Sequence, residues 1–234
     1  MKKVLTLALT GVLAAAALAV ESAPSNTVGF ISRSIPANAY SSFSACPMGT
    51  ATGVPALTAL GQQGGANDRI LVFTGFWASY DWSADWTWGG TLTFDYNGAY
   101  MYKNGSTTQP RTLVVAGDVI PAGSTVTIAT FPGGGAYQGV GNPLPMDVDL
   151  DTNDLTLDAD GFNTNDIILD WTGFWASYQY GGTGVYGVDF MAGKSYILKT
   201  AGAFTWDYAI PAGALATTPV VTKSAKAAQS VELN

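Results

Sequence analysis

The sequence has no histidine, a single cysteine and only two glutamates, Glu21 and Glu232. Without histidine it lacks the usual neutral-pH base, the Ser-His and Cys-His nucleophile pairs and the commonest zinc ligand. Cys46 alone forms no disulfide within the chain, and its apolar neighbours predict a small buried residue, with a reactive thiol as the alternative. An acid–base pair would therefore need two aspartates. These absences predict a protein that is not an enzyme.

Basic residues are also few, with 10 Lys and Arg against 17 Asp and Glu and no basic cluster. Nucleic acids and anionic membranes are bound by positive charge that replaces released counterions. The composition therefore predicts no nucleic-acid partner.

The N-terminal segment predicts export. Lys2 and Lys3 precede the apolar run Val4–Ala19, which ends in a small-x-small pattern that signal peptidase recognises. The alternative, a membrane span, needs about 20 apolar residues, and this run has 16. We expect residues 1–19 to be a cleaved signal peptide. Loss of its two lysines takes the net charge from −7 to −9. The mature chain is then predicted to be secreted or in the cell envelope, with no membrane insertion after cleavage.

An internal repeat is the strongest pattern in the chain. The heptapeptide Thr74–Tyr80 returns identically as Thr172–Tyr178, 98 residues later, and Asn67-Asp68 before it matches Asn165-Asp166. The turn-like Ile35–Asn38 also has counterparts at Ile120–Gly123 and Ile210–Gly213. We interpret this as a tandem duplication. The predicted units are residues 20–121 and 122–213, the second with an acidic insertion at 146–164, followed by a C-terminal tail at 214–234.

The local pattern predicts strands. Short runs rich in Val, Ile, Thr and aromatics alternate with Gly, Asn, Asp and Pro, as strands and hairpins do. The predicted strands are 28–34, 69–73, 91–96, 99–103, 125–131, 167–171 and 195–199, with one short helix at 55–60. The fold class is therefore all-β, with two tandem copies of a small antiparallel β-sandwich or partly open barrel. Whether the copies form separate domains or share one sheet stays open.

The repeat unit resembles that of a group of secreted bacterial β-repeat proteins, most of them uncharacterised. In that group an Ile/Leu-Pro-Ala-Gly turn precedes a Leu-x-x-Leu-Gly segment, an Asp-Ile-x-x-Trp-x-Gly-x-x-x-Tyr core and a Gly-aromatic strand. The matching segments are Ile35–Pro47, Leu57–Gly61, Asp68–Tyr80 and Gly98–Tyr102, and then Ile120–Pro132, Asp166–Tyr178 and Gly193–Ile197. The resemblance implies export and a β fold, and it implies no activity.

Aromatic residues next to carboxylates form one candidate site. Trp82, Trp86 and Trp88 are less tied to the repeat than Trp77 and Tyr80, whose recurrence indicates shared packing. Exposed rings beside Asp81 and Asp85 would be typical of a carbohydrate-binding site, whereas core or rim packing is the alternative. An acid–base role for Asp81 and Asp85 has no support in their spacing, and we predict no catalytic residue.

The acidic insertion is a second candidate site. Hard cations such as Ca²⁺ take six to eight oxygen ligands, and alternating aspartates with a glycine turn can supply them. The pattern lacks the glycine and closing glutamate of an EF-hand loop, so a solvated loop is the alternative to a weak calcium site. No other cofactor is predicted. The candidate ligands are Asp147, Asp149, Asp151, Asp154, Asp158 and Asp160.

Together these patterns predict a secreted, non-enzymatic structural or adhesive β-repeat protein of the envelope or extracellular space. Its partner would be a second copy of itself or a surface glycan. The alternative function is carbohydrate binding through Trp82, Trp86 and Trp88. Exposed aromatic residues would favour the second function, and an exposed, unpaired sheet edge would favour the first.

Overall fold

The computed structural model describes residues 28–45, 49–82, 92–150, 162–180 and 187–212. The predicted signal peptide, Cys46 and the predicted tail at 214–234 lie outside these ranges. Within the described part of the chain, no helix combines the length and apolar character needed to cross a membrane.

Antiparallel strands dominate the structure, as the sequence predicts. Eight strands and a five-residue helix precede residue 119. They are β1 (Val28–Ile35), β2 (Tyr40–Phe43), β3 (Val54–Pro55), α1 (Ala56–Leu60), β4 (Arg69–Phe73), β5 (Trp77–Asp81), β6 (Thr93–Phe94), β7 (Tyr100–Lys103) and β8 (Arg111–Asp118).

Eight more strands follow in the second half. They are β9 (Thr125–Phe131), β10 (Ala136–Gly141), β11 (Val148–Asp149), β12 (Ile167–Trp171), β13 (Trp175–Gln179), β14 (Asp189–Phe190), β15 (Ser195–Thr200) and β16 (Phe204–Ala209). The predicted boundary at residue 121 falls in the connection between β8 and β9.

The strand pairing of the first half recurs in the second with every strand number raised by eight. The first half contains a four-stranded sheet of order β2-β7-β4-β5 and the pairs β1-β8 and β3-β6. The second contains β10-β15-β12-β13 with the pairs β9-β16 and β11-β14. Every described strand pairs within its own half, so the two halves share no sheet over the described residues. Residues at the same place in the two schemes are called equivalent below.

The predicted elements are confirmed where β-branched and aromatic residues are dense. β4, β9 and β12 have the predicted bounds, and α1 begins after Pro55 and ends before Gly61, which has φ 59°. The predicted strand 91–96 is shorter, because only Thr93 and Phe94 pair, with β3. Nine strands were not predicted: β2, β3, β5, β8, β10, β11, β13, β14 and β16.

Each half has its own buried cluster of apolar side chains. The first contains Phe43, Phe94 and Tyr100, and the second contains Phe131, Phe190 and Trp206. Burying such rings contributes roughly 1.5–3 kcal/mol each. Tyr96 packs against both clusters, and its hydroxyl donates to the carbonyl of Thr127 at 2.8 Å.

The three Ile-Pro-Ala segments do not all occupy equivalent places. Ile120–Gly123 and Ile210–Ala212 follow the equivalent strands β8 and β16, whereas Ile35–Asn38 follows β1. The amide of Gly123 donates to the carbonyl of Ile210 at 2.9 Å, so the segments after β8 and β16 are hydrogen-bonded to each other. The segment after β9, equivalent to Ile35–Asn38, begins with Phe131-Pro132.

The two halves meet through reciprocal hydrogen bonds. The amide of Gly141 donates to the carbonyl of Asn97 at 2.7 Å, and the equivalent amide of Ser44 donates to that of Gly193 at 2.9 Å. Such an exchange is what a two-fold relation between like units produces. A Cβ on Gly141 would lie 2.6 Å from the Cβ of Ser44, so this close approach requires glycine.

Candidate functional site

Of the predicted aromatic site, the structure describes Trp82 and Asp81. It buries the Trp82 ring away from solvent. Trp82 is only 8% exposed and packs in the first core, with Gly64 directly against its ring. A ring this buried leaves little face for a sugar. Its equivalent, Tyr180, is buried in the second core. Trp86, Trp88 and Asp85 lie outside the described residues.

Asp81 lies on the exposed end of β5, opposite Arg69 on β4, and forms an ion pair with it. Exposed pairs of this kind contribute little to stability. The equivalent pair in the second half is Ile167 and Gln179, which carries no charge. The ion pair gives Asp81 a surface role in the sheet and does not bring a second carboxylate to it.

The predicted calcium ligands are mostly outside the described ranges. Asp147 is exposed, and its Oδ1 accepts a hydrogen bond from the amide of Ala192 at 2.7 Å. Asp149 belongs to β11, where it pairs with Asp189. Asp151, Asp154, Asp158 and Asp160 are not described. Over the described residues no three metal-ligating side chains converge, and the calcium site stays a prediction.

An aromatic strip crosses from one half to the other. Five rings follow one another: Phe73–Trp77 at 5.2 Å, Trp77–Trp175 at 5.9 Å, Trp175–Trp171 at 5.3 Å and Trp171–Tyr40 at 6.2 Å between centroids. We call this set the aromatic strip. Trp77 and Trp175 are equivalent residues and stack at 24°, which places the centre of the strip on the two-fold relation between the halves.

Strand alternation explains why these rings are not in the cores. In β5 the side chains of Ala78 and Tyr80 face the first core, so Trp77 and Ser79 face the other way. Tyr80 and its equivalent Tyr178 do pack against the cores. The shared-packing interpretation therefore holds for the tyrosines, whereas Trp77 and Trp175 are half-buried at the surface.

Two hairpin tips extend from the strip. Gly75 and Gly173, with φ of 100° and 106°, close the turns between β4 and β5 and between β12 and β13. The residues that follow them, Phe76 and Phe174, are 70% and 68% exposed. Sequence reasoning missed both, because they lie in the turns that precede β5 and β13, where the alternation of a strand does not apply.

A groove lies beside the strip, between the two halves. It has a volume of about 370 Å³, at the small end of the range for small-molecule sites. One wall is Val72–Gly75, and the opposite wall is 137–139 of β10. Residues 97–100 form the floor, and Asp95 is the one charged residue in this lining.

One tyrosine of the groove lining is held in its neutral form. Burial raises the pKa of Tyr100 far above its ordinary value, so its hydroxyl is neutral. That hydroxyl accepts from the amide of Asp95 at 2.7 Å. Burial likewise raises the pKa of Tyr196, the equivalent residue. These groups can bind and orient a ligand, and they do not provide an acid or base that titrates near neutral pH.

No protein-family model, curated protein or solved structure matches this chain.

Proposed function

We propose that the chain is an exported, non-enzymatic structural or adhesive protein that self-associates through the aromatic strip and its two hairpin tips. The observation that carries the proposal is the exposure of Phe76 (70%) and Phe174 (68%), which directly precede Trp77 and Trp175, the stacked central pair of the strip. Contiguous exposed apolar surface of this kind marks interaction sites in soluble proteins.

The symmetry of the surface favours a second copy as its partner. Phe76 and Phe174 are equivalent residues, and the stacked Trp77 and Trp175 lie between them. A surface with internal two-fold relation can meet its own copy in a self-complementary way, as closed dimers require. The formal net charge of −7 opposes such contact, so added salt should strengthen it by screening the repulsion.

The absence of histidine and the exposed ion pair of Asp81 support a non-enzymatic role. Export is part of the proposal and rests on the N-terminal pattern of Lys2, Lys3 and the apolar run that follows.

The test replaces both tip residues, as Phe76→Ser with Phe174→Ser, and follows association by sedimentation velocity over a concentration series at low and high salt. Each buried phenylalanine contributes roughly 2 kcal/mol, so the double variant should raise the dimer Kd by more than about a hundredfold. Phe30→Ser is the matched control, because Phe30 is equally exposed (71%) but lies on β1, outside the strip.

A wild-type chain that stays monomeric at high protein and high salt would contradict self-association. Equal association of the double variant and the wild type would show that the tips are not the contact. Loss of association in the Phe30→Ser control alone would move the interface to β1.

A further inference from the structure

In the second half, the position equivalent to the groove is occupied by side chains of the protein itself. The groove residues Phe73, Gly98 and Gly139 are equivalent to Trp171, Lys194 and Ser42. In the second half the Trp171 indole N–H donates to the carbonyl of Tyr40 at 3.2 Å. Phe73 is smaller than Trp171 and leaves open the space that the indole occupies in the second half, whereas a Cβ on Gly98 would clash with the Tyr100 hydroxyl and one on Gly139 would lie 2.6 Å from the Ala99 Cβ.

Charge changes at the same position. Lys194 forms a buried ion pair with Asp170 at 2.5 Å, and their side chains are 11% and 7% exposed. The equivalents of this pair are Gly98 and Val72, both in the groove lining. The groove lining therefore lacks the cation and the indole donor of the second half, and the cation beside it is the Lys199 ammonium on the Tyr137 ring.

The groove walls combine one aromatic ring with uncharged and acidic polar groups. Tyr137 is 46% exposed, and the Lys199 ammonium lies 5.6 Å from its ring centroid. Its equivalent, Tyr40, contacts the Trp171 ring edge-on, so this position already accepts a ring in the second half. Gln138, Thr74 and Asp95 supply amide, hydroxyl and carboxylate groups around it.

We propose that the groove binds one or two rings of a neutral saccharide, with the apolar face of a ring on Tyr137 and its hydroxyls bonded by Gln138, Thr74 and Asp95. A sugar ring has an apolar face with polar groups at its rim, and the groove offers the matching arrangement. The single negative charge of Asp95 in the lining and the acidic chain disfavour anionic sugars. The groove shares Phe73 with the aromatic strip and Thr74 and Gly75 with the first hairpin tip, whereas Tyr137, Gln138 and Asp95 lie outside both.

The experiment titrates the full chain with cellotriose, maltotriose and chitotriose, followed by saturation-transfer NMR and calorimetry. Trigalacturonic acid tests the charge preference, and N-acetylphenylalanine amide tests whether an aromatic side chain is the ligand instead. At least one neutral trisaccharide should bind in the millimolar range, and the acid should bind more weakly.

Two variants test the position. Tyr137→Leu removes the ring platform and should weaken binding about tenfold. Phe73→Trp installs the indole that the second half already accommodates at Trp171, and it should abolish binding by filling the space. Trp171→Phe is the matched control in the other half and should leave the affinity at the groove unchanged. Thermal melts establish that each variant folds.

Three results would overturn the proposal: no binding of any neutral trisaccharide, binding that survives both Tyr137→Leu and Phe73→Trp, or preferential binding of the phenylalanine amide. Phe76→Ser with Phe174→Ser should leave sugar binding intact, so the groove and the association surface are tested separately.

Discussion

The two halves of this protein share a strand-pairing scheme and differ in how they fill one surface. Both contain a four-stranded sheet and two strand pairs in the same order. At the position beside the aromatic strip, the second half places Trp171, Lys194 and Asp170, and the first half leaves a groove. The backbone ladder constrains the strands strongly, and it leaves side chains outside the cores free to diverge. The two halves can therefore keep one strand-pairing scheme while the surfaces outside their cores differ.

The halves also differ in the groups that donate hydrogen bonds to an equivalent buried aspartate. Asp68 and Asp166 are equivalent and are both almost fully buried. Asp68 accepts from the Tyr102 hydroxyl at 2.6 Å, from the Gly105 amide at 2.7 Å and from Arg111 at 3.1 Å. Asp166 accepts from two backbone amides, those of Asn163 and Ala201.

The largest expected effect comes from removing these aspartates one at a time. Asp68→Ala leaves a buried tyrosine hydroxyl and a half-buried arginine without their acceptor, and should lower the free energy of unfolding by roughly 3–5 kcal/mol. Asp166→Ala leaves two backbone donors and should cost about 1–3 kcal/mol. Urea unfolding monitored by fluorescence measures both. Equal losses would show that the added side-chain partners of Asp68 contribute nothing.

A second, smaller effect separates the halves at the Lys194–Asp170 ion pair. Lys194→Met leaves a buried carboxylate unpaired and should cost roughly 3 kcal/mol. The double variant with Asp170→Val gives the second half the valine that the first half has at Val72, and should recover stability to within about 1 kcal/mol of the wild type. The same urea assay applies. If the double variant is as unstable as Lys194→Met, the ion pair holds the surrounding residues in an arrangement that valine does not maintain.

The smallest effect is an alkaline pH dependence that differs between the halves at one position, that of Tyr102. Burial raises the pKa of Tyr100, Tyr102 and Tyr196 above the ordinary 10.0. Leu198 replaces Tyr102 in the second half. The folded state favours the neutral phenol, so this stability is complete below pH 10 and is lost as the pH rises above it. Each tyrosine should contribute a slope of about 1.4 kcal/mol per pH unit.

Tyr102→Phe tests this dependence, because it removes one titrating group from the first half. The free energy of unfolding measured in urea from neutral to alkaline pH should fall less steeply in the variant. The slope is the diagnostic quantity, since loss of the bond to Asp68 lowers stability at every pH. An unchanged slope would show that Tyr102 does not titrate differently in the folded and unfolded chains.

Local pattern was enough to predict the all-β class and seven of the sixteen described strands. The strands β4, β9 and β12 were predicted to the residue, because runs such as Arg69–Phe73 combine β-branched residues with turn residues on both sides. The helix α1 followed from Pro55 and Gly61. β16 was not predicted, although Phe204–Ala209 alternates apolar with polar residues and its buried residues alternate with exposed ones, as in a half-buried strand.

The candidate site was less predictable, for a physical reason that Trp77 and Trp82 illustrate. Both are aromatic and lie close in sequence, but odd and even positions of a strand face opposite sides. The pattern shows that Trp77 and Trp82 face opposite sides, and it does not show which side another sheet covers. In the structure Trp82 is covered and Trp77 is not.

The sequence by itself determined the all-β class, the short elements and the recurrence of Thr74–Tyr80 at Thr172–Tyr178, because each depends on neighbours within a few residues or on direct identity. The tertiary structure alone decided that Trp77 stacks on Trp175 and that Phe73 and Tyr137 line one groove. These pairs are 98 and 64 positions apart in sequence, and they come together only because the two halves pack through Ser44, Asn97, Gly141 and Gly193.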